Sequence, residues 1–171
     1  LVDSIAGGGG ILQLPVLLAL GVSPQKALGT NKLGSTFGAI SSSYNYARKK
    51  AVDPRKMFGG IFFTFVGAAS GALLVQQLEA SFLSKIIPIL LVLIFLYMLF
   101  SPKLGDENRQ AKMKEGLFYF VFGLMLGFYD GFFGPGTGSF WTIAFVSLLG
   151  FNLVKATAHT KVVNLSLIHI S

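Results

Sequence analysis

The sequence predicts an all-α fold, a polytopic transmembrane helical bundle with an internal repeat and glycine-broken half-helices. Three observations carry this reading. The 171 residues are 53% hydrophobic and 12% charged, about half the charged share of an ordinary soluble domain. That leaves too little polar surface to coat a water-soluble globule, so lipid must replace water around the outward faces. The apolar residues also gather into runs long enough to cross the hydrocarbon core as helices. Residues 57–75 carry no charge, and residues 82–100 carry only Lys85. Finally, a pattern of aspartate, glycine cluster, short apolar stretch and glycine turn occurs twice.

Residues 11–22 are apolar but short, and Pro15 interrupts them, which suits a half-helix or re-entrant segment. A turn follows at Gly21 to Pro24, with Ser23-Pro24 resembling a helix start. Residues 27–47 form the next span. Its small and hydroxyl residues, Gly34, Ser35, Gly38, Ala39 and Ser41 to Ser43, let helix backbones approach closely, so this span is expected to face protein. A basic loop runs from Arg48 to Lys56. Residues 57–75 then cross, with Gly67, Ser70 and Gly71 as the expected packing face. A nearly charge-balanced link occupies 76–84. In 82–100, Leu, Ile and Phe dominate, which makes that helix the best lipid-facing candidate. A second charged loop, 102–115, holds Lys103, Arg109, Lys112 and Lys114. Residues 116–129 begin another span, expected to break at Asp130-Gly131.

Two spans separate the basic loops, so both lie on one side. The positive-inside tendency makes loops 48–56 and 102–115 cytoplasmic and the 76–84 link external. The expected organisation is a first repeat half over 1–101, lacking its first helix, a cytoplasmic loop over 102–115, and the start of a second half over 116–164. Residues 165–171 read as the in-frame translation of a transposon-end sequencing adapter and are set aside.

The repeat is ordered. Asp3 precedes Gly7 by the spacing at which Asp130 precedes Gly134. An apolar half-helix follows each cluster, then a glycine turn at Gly21 and at Gly150. Lys26-Ala27 matches Lys155-Ala156, and Thr30-Asn31-Lys32 falls opposite His159-Thr160-Lys161. Transporters commonly arise by such duplication, with the substrate site between the halves and interrupted helices pointing to it. If segment 11–22 completes a crossing, the repeat unit has an odd number of crossings and the halves are inverted; if it only enters and returns, they are parallel.

Composition excludes several classes. There is no cysteine, hence no disulfide, thiolate metal site or cysteine nucleophile. His159 and His169 cannot build a metal site alone. The net charge of +7 sits mainly in two short loops between apolar runs, a topology signal and not a nucleic-acid footprint. The glycine clusters lack the lysine and the preceding strand of a nucleotide-binding loop, and no nucleophile–base set is visible. Neither an enzyme nor a cofactor is expected.

The glycine clusters serve either sharp turns and tight packing or a ligand. A helix broken inside a membrane exposes N–H groups that lipid cannot satisfy, and glycine lets a ligand reach them. Oriented N–H groups at a helix start favour an anion. The expected substrate-binding residues are therefore Gly7, Gly8, Gly9 and Gly10 with Asn31 and Lys32, and Gly134, Gly136 and Gly138 with Thr160 and Lys161. The lysines are either snorkelling to the interface or placed beside the pathway. Asp3 and Asp130 are expected to cap the glycine turns, pair with a lysine or carry a coupling proton. A small anion and the bilayer are the expected partners, with a proton or sodium gradient as the drive. A membrane scaffold that needs its glycines only for packing is the competing reading.

The run Asp3 to Gly10 with Leu14-Pro15, followed by Ala27-Leu28-Gly29-Thr30-Asn31-Lys32-Leu33, resembles the TauE/SafE sulfite-exporter family of bacterial membrane proteins over essentially all of residues 1–164. The resemblance implies a transporter of sulfite, sulfonates or related small anions in the plasma membrane, built from two homologous halves. Against that resemblance the sequence is expected to be a truncated piece, without the helix before Asp3 and most of the second half. It departs from the family in the second motif, where His159-Thr160-Lys161 stands for Thr30-Asn31-Lys32, which puts symmetric roles in doubt.

Overall fold

The computed structural model describes residues 9–48, 57–100 and 110–165, which form helices and no strand. They are α1 (Gly9–Ala19), α2 (Pro24–Arg48), α3 (Phe58–Gln77), α4 (Ala80–Leu99), α5 (Glu115–Phe132), α6 (Thr137–Leu149) and α7 (Leu153–Leu165). Asp3, Gly7, Gly8, His169, most of both basic loops and the segment 166–171 lie outside the described residues.

The most extensive contact is between α3 and α5, and glycine makes it. Gly123, Gly127 and Gly131 recur every fourth residue, so they line one face of α5. A Cβ on Gly127 would strike the backbone of Thr64, and one on Gly131 the backbone of Ala68. From the other side, a Cβ on Gly67 or Gly71 would strike the α5 backbone near Leu124 or Phe128. Within lipid no hydrophobic force joins helices, so close backbone packing supplies the attraction. Gly67 and Gly71 thus pack as expected. Ser70 does not, because the contact stripe continues through Thr64, Ala68 and Ala72. Ser70 is exposed and donates to the Val66 carbonyl at 2.9 Å. Gly60 faces Tyr119 and Ala68 faces Gly131, so the two helices run parallel.

The second half breaks later than expected. Asp130 and Gly131 are still helical, because Gly131 serves the close approach to Ala68 and not a turn. The chain turns instead between Phe133 and Gly136, where Gly134 (φ 95°) and Gly136 (φ 81°) adopt left-handed conformations that glycine alone takes easily. α6 then doubles back along α5. Phe145 packs on Phe118 with ring centroids 5.1 Å apart, and the Lys112 amide donates to the Leu148 carbonyl at 2.8 Å. α6 therefore ends where α5 begins. α7 returns beside α6, with the Phe151 and His159 rings tilted against each other at 4.8 Å and Thr142 Oγ1 3.2 Å from Thr160 Oγ1.

α1 is a half-helix of 11 residues, about 16 Å long. It ends in a Schellman turn. Gly21 (φ 77°) donates to the Leu18 carbonyl and Val22 to that of Leu17, at 3.0 and 3.1 Å. Gly150 (φ 68°) closes α6 in the same left-handed conformation. The two hairpins point in opposite directions. The α1–α2 turn lies at the α3–α4 link, where Gln25 Nε2 donates to the Leu78 carbonyl at 3.3 Å. The α6–α7 turn lies at the opposite end, beside Lys112. The two hairpins are thus inverted relative to each other, although α1 alone is too short to complete a crossing: α5 and α6 also enter and return, so that three helices, α2 to α4, lie between α1 and the α5–α6 pair.

α4 buries Leu83, Ile87 and Ile94 against α1, α2 and Phe133. Its other side leaves Ile89, Val92, Leu93 and Phe95 more than half exposed, as a lipid-facing helix requires. Among the described residues, α3 and α4 have the length and apolar character of full spans.

Candidate functional site at the inverted half-helices

The inversion brings the starts of α1 and α6 together. Gly10, at the start of α1, lies against the Asn31 side chain, and a Cβ there would sit 2.7 Å from its Oδ1. Gly134 borders the same amide, its Cβ position 4.0 Å from Asn31 Nδ2 and 3.9 Å from Asp130 Oδ1. The Gly136 Cβ position is 3.9 Å from Ile11 of α1. Asn31 is therefore held between the two glycine motifs. It is 2% exposed, and among the described residues its Oδ1 has no hydrogen-bond partner.

Lys32 follows. Its ammonium donates to the Gly131 carbonyl at 3.0 Å and lies in coulombic range of Asp130. The carbonyl end of α5 carries partial negative charge, which suits an ammonium. Lys32 is thus turned into the protein, not toward a headgroup. It lines a cleft of about 280 Å³ with Leu28, Ala72, Gln25, Gln76 and Gly131. Gln25 and Gln76 stand at its α3–α4-link end, so the cleft runs from that end to the ammonium.

The turn at the start of α6 uses part of its own polarity. Gly134 O accepts from the Thr137 amide at 3.3 Å and from its hydroxyl at 2.6 Å. Gly136 O accepts from the Ser139 and Phe140 amides at 2.9 and 3.1 Å. Tyr129 Oη donates to the Pro135 carbonyl at 2.6 Å. The positive end of α6 is therefore a braced dipole, with fewer free N–H groups than an open nest. Asp130 sits in the last turn of α5, and the N-cap of α6 is Gly136. The carboxylate thus lies near Lys32 and Gly134.

The repeat is only partly symmetric in its contacts. Ala27 and Ala156 are both fully buried, while Lys26 and Lys155 are both exposed. Asn31 and Thr160 are both 2% exposed. Thr160, however, meets Thr142 of α6, whose hydroxyl donates to the Gly138 carbonyl at 2.8 Å, so it braces its own hairpin. Lys161 is 6% exposed, more buried than Lys32, and is engaged by a partner. His159 is buried against Phe145 and Phe151, with Nδ1 2.8 Å from the Lys155 carbonyl, where the exposed Thr30 stands in the first half. The sequence reading did not single out Gln25, Gln76, Tyr129 or Thr137. The glutamines had a signal, since amides at the ends of apolar runs are costly without a use. The two hydroxyls had none.

The family model for Sulfite exporter TauE/SafE matches residues 1–169. The chain belongs to the TauE/SafE family. Curated relatives agree. The chain is 53% identical over 163 residues to "Probable membrane transporter protein YfcA" of Escherichia coli, covering 95% of this chain and 61% of that protein. It is 51% identical over 167 residues to a "Probable membrane transporter protein" of Haemophilus influenzae, covering 95% and 64%. It is 30% identical over 177 residues to "Probable membrane transporter protein YunE" of Bacillus subtilis, covering 88% and 64%. This TauE/SafE chain thus spans less than two thirds of the length of these relatives. No solved structure matches it significantly.

Proposed function

We propose that the protein serves secondary transport of small anions across the bacterial inner membrane, with sulfite and organosulfonates as the substrate class. The observation that carries this reading is the meeting of two inverted half-helix starts around Asn31, with the Lys32 ammonium beside them. Half-helix N-termini near the middle of a membrane favour anionic groups. A lysine held by one carbonyl and a nearby carboxylate supplies a charge that an arriving anion can recruit. The relatives' names support transport, and the family's name supports a sulfur oxyanion. Loops 48–56 and 102–115 are then cytoplasmic, and the cleft at Gln25 and Gln76 opens outward. Asp130, beside Lys32, is the candidate to carry a coupling proton, with a sodium gradient as the other candidate drive. The scaffold reading explains the interlocked glycines of α3 and α5. It gives no reason for a buried asparagine and a lysine at the break.

Flux of sulfite, a sulfonate and a carboxylate in proteoliposomes tests this, beside Lys32→Gln. Removing a charge-assisted contact of about 1.5–3 kcal/mol lowers flux roughly 10- to 100-fold. Undiminished flux in a well-inserted Lys32→Gln protein removes Lys32 from the pathway. No flux of any anion under either gradient sinks the transport reading.

A further inference from the structure

Asn31 makes a demand that an anion alone does not meet. Among the described residues its Oδ1 is buried without a partner, beside Gly10 and near Gly134, where two helix starts converge. Leaving a buried acceptor unpaired is costly. The helix starts and Lys32 attract negative charge, yet an anion whose oxygens only accept would face Oδ1 with a like-signed dipole. An oxyanion that keeps one proton answers both, its charged oxygens toward Lys32 and the helix starts, its O–H toward Asn31. Trp141 Nε1 also lacks a partner, but it is a donor lodged among Phe118 and Phe145.

Resting on the anion reading above and narrowing it, we infer that Asn31 Oδ1 accepts a hydrogen bond from the substrate's own hydroxyl, so that within the class proposed above the site binds singly protonated oxyanions more tightly than fully deprotonated ones of the same shape and charge, organosulfonates being the weaker substrates. A site built to pair with a hydroxyl rejects the analogue lacking it far more strongly than an apolar pocket rejects a missing methylene. Asn31 is then the specificity residue, and Lys32 supplies affinity to both kinds of anion.

Two probes isolate the difference. In mildly acidic buffer methylphosphonate is a monoanion with one P–O–H, and methanesulfonate is a monoanion of the same shape with none. Calorimetric titration of the purified protein is expected to show methylphosphonate binding about tenfold or more tightly. Asn31→Leu is expected to bring the two within about twofold, with methanesulfonate binding retained. The comparison in the unsubstituted protein decides the matter even if that variant fails to fold. Equal binding there overturns the inference while leaving the anion reading intact. Methanesulfonate that gains affinity when sodium replaces choline overturns it in favour of a cation at Oδ1. Binding of neither probe, together with wild-type behaviour of Lys32→Gln, overturns the anion reading itself.

Discussion

Gly134 and Gly136 set the geometry on which the site depends. Gly136 holds φ 81°, and a Cβ on it would meet Ile94 at 3.0 Å. A left-handed conformation costs an L-residue roughly 1–2 kcal/mol, and the contact with Ile94 adds to that. Gly59 lies within α3 with nothing near its Cβ position. Gly136→Ala should therefore lower the thermal midpoint by several degrees while Gly59→Ala leaves it nearly unchanged or higher. The fluorescence of Trp141, the single tryptophan, reads the transition from inside the core. Equal midpoints would mean that the α6 start relaxes freely. The importance of these glycines was legible, because the cluster after Asp130 has no other purpose in an apolar run. The unpartnered oxygen of Asn31 was not legible. Burial without a partner belongs to the packing of α1, α2 and the Gly134 turn, which no single segment contains.

At the scale of elements, the pairing of α3 with α5 decides where the second half can break. The glycines at 123, 127 and 131 form a period-four face that carries the helix through Gly131, past the expected break at Asp130-Gly131. A glycine in an apolar run means either close approach or a turn, and only the partner helix separates the two. Gly127 is the sharper test, since its Cβ would enter the Thr64 backbone, which cannot yield as a flexible side chain does. Overpacking typically costs about 1–3 kcal/mol, and more where backbone is the obstacle. Gly127→Leu should abolish a monodisperse peak on size exclusion in detergent, while Gly116→Ala, with open space around it, should preserve one. A monodisperse Gly127→Leu protein would show that α3 and α5 separate without loss of fold. The lipid-facing character of α4 was fully legible, because an apolar surface toward lipid is a property of composition.

For the whole molecule, the inverted arrangement makes a claim that sequence spacing left open. The α1–α2 turn lies at the α3–α4 link, and the α6–α7 turn lies beside Lys112. Duplicated segments of the same pattern can be inserted either way up. The direction follows from the number of crossings between them, and a half-helix that turns back adds none. The chain has no cysteine, so single cysteines report sidedness without background. Ser23→Cys sits at the first turn and Lys155→Cys at the start of α7, both exposed. Glu79→Cys marks the α3–α4 link and Lys112→Cys the other end. A membrane-impermeant maleimide on intact cells should label positions 23 and 79, and should reach positions 155 and 112 only after permeabilisation. The positive-inside tendency gives this polarity, since Lys112 and Lys114 precede α5. Labelling of positions 23 and 155 from the same side would make the hairpins parallel. The starts of α1 and α6 would then point the same way across the membrane. Asn31 would no longer stand between two opposed positive helix ends, and the site would lose the field that suits it to an anion.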